Sequence, residues 1–186
     1  MANVDRPRGA IPVGTISGAP VNGNIREYSV DASNATAIFR GDFVTLESDG
    51  NVAPAAAGGV ILGVCVGVVV DRAQAETEHP GYIPASTAAT IRVAVGPDVL
   101  YEVQEDSVSS DLALTDVGAN IDIIAGAGST TTGISAHELD SDTATAAGSA
   151  QLRIVGFVNR EDNEVGTNGK WLVRVHESHW TATNGV

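Results

Sequence analysis

Residues 59–70 read Gly59-Val60-Ile61-Leu62-Gly63-Val64-Cys65-Val66-Gly67-Val68-Val69-Val70, and this stretch decides the fold. Side chains of a β-strand alternate between two faces, so every second residue lies on the same side. One face would carry the bulky Val60, Leu62, Val64, Val66, Val68 and Val70. The other would carry Gly59, Ile61, Gly63, Cys65, Gly67 and Val69, which are mostly small. The stretch therefore predicts a strand whose small face lies against another backbone.

The same stretch could also be interpreted as a membrane-spanning helix. No residue from 50 to 70 is charged, and Gly59, Gly63 and Gly67 repeat at the spacing of a membrane dimerisation motif. A spanning helix needs about 20 mainly apolar residues, whereas this window begins with Asn51 and Pro54 and has no Lys or Arg close before it. The strand interpretation is favoured.

The composition of the whole chain agrees with a β-rich fold. Hydrophobic residues make up 43% of the 186 residues but aromatic residues only 4%, so Val, Ile, Leu and Ala must fill the core. β-Branched side chains favour strands, and the 21 Gly and 7 Pro predict many turns. We expect an all-β fold, a single compact β-barrel or sandwich with long loops. At most one short helix is expected, at residues 107–117, capped by Ser107 and stopped by Gly118.

Three segments are expected along the chain. Residues 1–24 contain Pro7, Pro12 and Pro20 and no convincing periodic run, which predicts an extended N-terminal arm. Residues 25–180 form the barrel or sandwich domain, with a surface excursion at 71–87 and a long polar loop at 126–148. Residues 181–186 are expected to form a flexible tail.

The charge balance argues against several classes of partner. Ten basic residues against 23 acidic ones give a formal net charge of −13. A nucleic-acid partner requires a basic surface, and an anionic membrane would repel this chain, so neither is expected as a partner. The single cysteine, Cys65, excludes an intrachain disulfide and is expected to be a buried apolar side chain.

No arrangement of residues predicts catalysis or a cofactor. The histidines, at positions 79, 137, 176 and 179, lack the partners of a zinc site and are expected to be surface or terminal residues. Glu138, Asp140 and Asp142 could offer oxygen ligands to Ca²⁺, but the glycine and glutamate positions of an EF-hand loop are not matched. We expect no enzyme activity, no metal and no cofactor.

A further set of segments is distinctive: residues 12–20, 97–107, 115–120, 133–140, 151–163 and Lys170-Trp171-Leu172-Val173-Arg174-Val175. These segments resemble a family of small structural proteins encoded among the head genes of tailed phages. Gly41-Asp42-Phe43-Val44, followed by a Gly/Val-rich strand, also resembles shorter phage cement proteins. The resemblance implies a capsid decoration, or cement, protein that is made in the host cytoplasm and lies on the exterior of the virion. It further implies the major capsid protein as partner and a homo-oligomer, with a trimer expected.

Two sets of residues are expected at interfaces. In the arm, three apolar side chains would be poorly placed in a solvated tail, and two arginines could pair with carboxylates of a neighbour. These arm residues are Arg6, Arg8, Ile11, Val13 and Ile16. The densest charge cluster of the chain, at the end of the last hairpin, could set the register with a neighbouring subunit. Its residues are Arg160, Glu161, Asp162 and Glu164.

Two other functions stay open. A tail, fibre or host-binding β-domain would share the composition and the self-assembly. A soluble module that binds carbohydrate or Ca²⁺ would need exposed aromatic side chains or a metal-dependent melting point. Only Trp171 and Trp180 could serve as platforms for a sugar.

Overall fold

The computed structural model describes residues 3–69, 81–146, 148 and 150–181. Parts of two predicted segments lie outside the described residues. These are Val70 and residues 71–80, which include His79 and most of the predicted excursion, and residues 182–186 of the predicted tail. The described chain forms twelve strands: β1 Ile11–Thr15, β2 Ile25–Val30, β3 Phe43–Leu46, β4 Val52–Pro54, β5 Gly63–Val69, β6 Ala89–Val95, β7 Val99–Gln104, β8 Asn120–Ile121, β9 Ile123–Ile124, β10 Glu138–Leu139, β11 Leu152–Phe157 and β12 Lys170–Val175.

The strands form two five-stranded antiparallel sheets and one small ribbon. Sheet A has the order β1-β7-β12-β11-β8, sheet B has the order β2-β6-β5-β3-β4, and β9 pairs with β10. Phe43 and Val64 of sheet B pack with Tyr101, Val103 and Trp171 of sheet A in one core. The all-β prediction is confirmed, and the arrangement is a sandwich, because neither sheet closes into a barrel.

The predicted strand at residues 59–70 is confirmed over Gly63–Val69, but its faces differ from the prediction. The register between β5 and β6 shifts between Cys65 and Gly67, where a β-bulge inserts one extra residue. Val64 therefore packs in the core between the sheets, whereas Val68 packs with Cys65 on the opposite face of sheet B. The prediction that Val64 and Val68 share a face is wrong, because the bulge interrupts the two-residue period.

The predicted small face of this strand contains Gly63 and Gly67, and another backbone approaches closely at Gly63 but not at Gly67. A Cβ added to Gly63 would lie 2.1 Å from the carbonyl oxygen of Ala94 and 2.9 Å from Cγ1 of Val93. A Cβ added to Gly67 would meet no atom of the described chain within 4 Å. The expected close approach is confirmed at Gly63 and wrong at Gly67.

The outer face of sheet B carries a second apolar cluster. Val44, Leu62 and Val93 lie in it, beneath Ile38 and Ile83. The covering residues are tied together by two backbone hydrogen bonds, from Ile38 N–H to the Ile83 carbonyl at 2.9 Å and back at 2.8 Å. Both faces of sheet B are therefore buried.

The helix expected at residues 107–117 is wrong in extent. The described chain contains three 3₁₀ helices, at Val21–Asn24, Leu114–Asp116 and Ser141–Thr143, and no α-helix. Ser107 and Ser109 have φ angles of 52° and 69°, which a right-handed helix does not allow. The cap is the Asp116 carboxylate, which accepts the Ala113 N–H at 2.8 Å. No helix of the described residues is long and apolar enough to cross a membrane.

Candidate docking surface around the N-terminal segment

Part of the predicted arm is a strand at the edge of sheet A. Strand β1 pairs antiparallel with β7, with Ile11 opposite Glu102 and Thr15 opposite Val99. The register shifts between Pro12 and Gly14, so Val13 is a bulge residue and the period-2 signal is lost. Within the predicted arm, Ile11–Thr15 is a strand and Val21–Asn24 is a 3₁₀ helix. The predicted boundary after residue 24 lies between β1 and the other strands of sheet A.

The residues before β1 are fixed against sheet B. Ala10 is buried and its N–H donates to the Gly41 carbonyl at 2.8 Å. Gly9 has a φ of 68°, and an added Cβ would lie 2.4 Å from the Gly41 oxygen and 2.5 Å from Cβ of Ser135. Only glycine fits this position. The arm is therefore part of the fold.

A buried contact between His137 and Asp42 supports the loop against which the arm packs. Nε2 of His137 lies 3.4 Å from Oδ1 of Asp42, and both side chains are 3% exposed. Nδ1 of His137 accepts the Phe43 N–H at 3.3 Å, and Oδ2 of Asp42 accepts the Phe39 N–H at 2.8 Å. Burial lowers the pKa of His137 and raises the pKa of Asp42. The expectation that His137 is a surface residue is wrong.

The charged hairpin end between β11 and β12 is held by its own side chains and by Glu102 of β7. Arg160 binds Glu102 through two hydrogen bonds of 2.8 Å and 3.0 Å and binds Asp162 at 3.0 Å. These carboxylates raise the pKa of Arg160, and the guanidinium lowers the pKa of Asp162. Asn163 crosses the turn, because its Nδ2 donates to the carbonyls of Val158 at 2.7 Å and Lys170 at 2.9 Å.

The structure brings the two predicted interface sets together. Asn3 joins them, because its Oδ1 accepts the Glu164 N–H at 2.8 Å and its Nδ2 donates to the Glu164 carbonyl at 2.8 Å. A cleft of about 310 Å³ lies between the arm and the hairpin end. It is lined by Arg6, Arg8, Gly9, Ile11, Val13, Glu102, Gln104, Arg160, Asp162 and Lys170. Of the predicted residues, Ile16, Glu161 and Glu164 do not line this cleft, although all three are exposed.

Two more clefts border the same arm segment. One of about 290 Å³ lies between the arm and residues 40–41, 65–66 and 134, and Arg8 and Arg40 both line it. The other, of about 310 Å³, lies between the arm and residues 127–136 and is lined by Arg6 and Arg8. We call the three clefts and the intervening residues 6–12 the arm surface. Arg8 contributes to all three clefts.

Sequence reasoning missed Glu105, which positions the hairpin end. Its carboxylate is fully buried and accepts the Leu112 N–H at 2.6 Å, the Gly169 N–H at 3.2 Å and Nε1 of Trp171 at 3.3 Å. Burial raises the pKa of Glu105 to about 7, although the three donors favour the charged form. The sequence offered only an acidic pair, Glu105 and Asp106, without any sign of these partners.

The alternative sites considered from the sequence differ in their outcome. Trp171 is fully buried, so it cannot be a sugar platform, whereas Trp180 is 57% exposed. Among the described residues, the group of three or more potential metal ligands whose atoms all lie within 4.8 Å of one another is Asp31, Glu47 and Asp49. The loop at 138–142, which offers carboxylates for Ca²⁺ but is not expected to bind it, is not part of this group. Asp31 and Asp49 already accept hydrogen bonds from their own turns, including those from Ser33 and Asn51.

The chain was compared with protein-family models, with curated proteins and with solved structures, and nothing matches in any of the three comparisons.

Proposed function

We propose that this protein is a non-enzymatic structural protein of a tailed-phage virion, which binds the outer surface of the capsid as a decoration protein. The partner is the major capsid protein, together with further copies of the chain, a trimer being the expected oligomer. The proposal combines the sequence resemblance with the arm surface. A second candidate, a tail, fibre or host-binding domain, shares the same assembly chemistry.

The observation that carries the proposal is the apolar outer side of a rigidly held arm. Among the ten large hydrophobic side chains that are exposed in the described chain, four lie at residues 4–16: Val4, Ile11, Val13 and Ile16, which are 68%, 36%, 50% and 56% exposed. Exposed apolar side chains that cluster beside polar ones are typical of an interaction surface. Because hydrogen bonds to Gly41 and to β7 already fix this segment, docking would cost little conformational entropy.

Binding to purified particles tests the proposal. Phage heads that lack the protein are mixed with wild type, with Val13→Glu, or with Leu114→Glu, which changes a similarly exposed side chain (61%) on another part of the surface. We expect wild type and Leu114→Glu to saturate the heads and Val13→Glu to reduce occupancy by about tenfold or more, while circular dichroism shows all three folded. Cryo-EM of the particles separates head from tail binding. Density on tails alone would favour the second candidate, and density on neither would overturn both.

A further inference from the structure

Half of the cationic side chains of this acidic chain lie on the arm surface. The chain has ten Lys and Arg residues, and the five that line the three clefts are Arg6, Arg8, Arg40, Arg160 and Lys170. The acidic side chains that line these clefts are Glu102 and Asp162, and both are paired with Arg160. The arm surface is therefore locally positive on a chain whose formal net charge is −13.

Most of these cations make no ion pair with the described chain. Arg6, Arg8 and Arg40 are exposed. The arginines that pair with carboxylates among the described residues are Arg92 and Arg160 instead. A guanidinium presents several N–H donors in a planar fork that matches a carboxylate. Three such groups on one rigid surface are available to carboxylates of another molecule.

A neighbouring surface has the opposite character. Glu138 lies near Asp5 and Asp106, and Asp140 lies near Asp106, Asp142 and Asp122. Glu138 accepts a hydrogen bond from Gln104 at 3.2 Å, and the ion pairs of the described residues include neither Glu138 nor Asp140. Burial and the charges of Asp5 and Asp106 raise the pKa of Glu138 to about 7. Burial and the adjacent carboxylates likewise raise the pKa of Asp140. We call Asp106, Glu138, Asp140 and Asp142 the acidic cluster. Repulsion within it would fall if cations of another molecule approached.

We propose that the arm surface of one copy docks on the acidic cluster of a second copy of this chain. The inference rests on the proposed structural role, of which self-assembly is a part, and it identifies the surfaces that meet. Charge complementarity selects the occupant: one chain carries both an excess of unpaired guanidinium groups and an excess of unpaired carboxylates. A nucleic acid is disfavoured, because the chain as a whole would repel its phosphates. The exposed Val4, Ile11 and Val13 add apolar area to the same contact.

Charge reversal on each surface tests the contact. One variant carries Arg6→Glu and Arg8→Glu, and the other carries Asp140→Lys and Asp142→Lys. Sedimentation velocity measures the self-association of wild type, of each variant and of the equimolar mixture of the two variants. The salt concentration is about 50 mM, because exposed charges are weakly screened at low salt. We expect wild type to associate and each variant alone to show a dissociation constant raised by at least about tenfold. The mixture should recover association at least as far as the heterodimer, because a closed ring of three made from two variants keeps one repulsive contact.

Neutral variants guard against misfolding. Arg6→Gln with Arg8→Gln, and Asp140→Asn with Asp142→Asn, remove charge without creating repulsion, and circular dichroism checks that each is folded. Both should weaken association and reduce its dependence on salt. The inference is overturned if wild type stays monomeric at low salt, if either reversed variant associates like wild type, or if the mixture does not recover.

Binding to heads separates this inference from the proposed function. If wild type self-associates as described but leaves heads bare, the proposed function fails and the contact stands. If wild type decorates heads while the reversed variants associate normally in solution, the contact fails and the proposed function stands.

Discussion

Sheets A and B share one core but differ in what covers their outer faces. The outer face of sheet B is sealed, because Val44 and Val93 are fully buried beneath Ile38 and Ile83. The corresponding face of sheet A carries charge near its β1 edge, where Glu102 binds Arg160 and Ile11 is 36% exposed. Sheet B is buried by apolar side chains on both faces, so it stabilises the fold and leaves no open face for a partner. An open, charged and partly apolar face beside a rigid edge is the one suited to a partner.

The largest effect is expected at Gly63, inside sheet B. Gly63→Val should lower the free energy of unfolding by about 3 kcal/mol or more, or prevent folding, because even a Cβ would lie 2.1 Å from the Ala94 oxygen. Gly67→Val on the same strand is the control and should change stability by less than about 0.5 kcal/mol. Urea denaturation measures both. Equal losses in the two variants would show that the close approach at Gly63 is not what sheet B requires.

Glu105 tests whether the open face of sheet A depends on a buried support. Glu105→Ala should cost about 3–5 kcal/mol, because it leaves the N–H groups of Leu112 and Gly169 and the Trp171 indole without an acceptor. Glu105→Gln retains one acceptor oxygen and should cost less. Glu161→Ala, on the exposed end of the same hairpin, should be nearly neutral. A loss under about 1 kcal/mol for Glu105→Ala would contradict this role.

A pair of apolar truncations compares the two outer faces directly. Ile38→Ala should cost about 2–4 kcal/mol, because Ile38 is fully buried over sheet B and the cavity cannot refill. Val13→Ala, at a 50% exposed bulge of β1, should change stability by less than about 0.5 kcal/mol while weakening assembly. Thermal unfolding and sedimentation together measure both properties. Similar stability losses in the two variants would remove the distinction between a sealed and an open face.

The smallest effect concerns the C-terminal segment against the edge of sheet B. Nε2 of His179 accepts the Leu46 N–H at 3.1 Å and lies 2.9 Å from the Thr45 hydroxyl, so the contact needs the neutral ring. Burial lowers the pKa of His179 from its usual 6.5. The unfolded chain therefore binds a proton first, and this contribution is present above pH 6.5 and lost as the pH falls through the folded pKa.

Comparison of unfolding free energies at several pH values isolates this term. The difference between wild type and His179→Gln should be about 1 kcal/mol or less at neutral pH and should shrink on acidification. The pH dependence of the unfolding free energy of wild type alone is not informative. Glu105 and Glu138 have pKa values raised to about 7, so they stabilise the folded chain more as the pH falls, which is opposite to the effect of His179. A difference that stays constant with pH would contradict the neutral-ring contact.

Local pattern predicted the strand at residues 59–70 but not how it is interrupted. The same alternation is present in Ile91, Val93 and Val95 and in Val99, Tyr101 and Val103, which form β6 and β7. The bulges at Val66 and Val13 leave no mark in composition, because a valine is equally at home in an uninterrupted strand. For the docking surface, the sequence predicted Arg6, Arg8, Arg160 and Asp162 as two separate sets. That the two sets line one cleft depends on β1, β7 and the hairpin end meeting in space.

By itself the sequence determined the all-β class, the burial of Cys65 and the excess of negative charge, because these follow from residue types and their spacing. Tertiary structure alone decided that Asp42, Glu105 and His137 are buried. Glu105 and His137 accept backbone N–H groups of distant residues, Gly169 and Phe43, and Asp42 lies beside His137. Tertiary structure also decided that the arm is an edge strand. A proline-containing segment forms a strand where its free side faces solvent, and β1 meets that condition by pairing with β7 at the edge of sheet A.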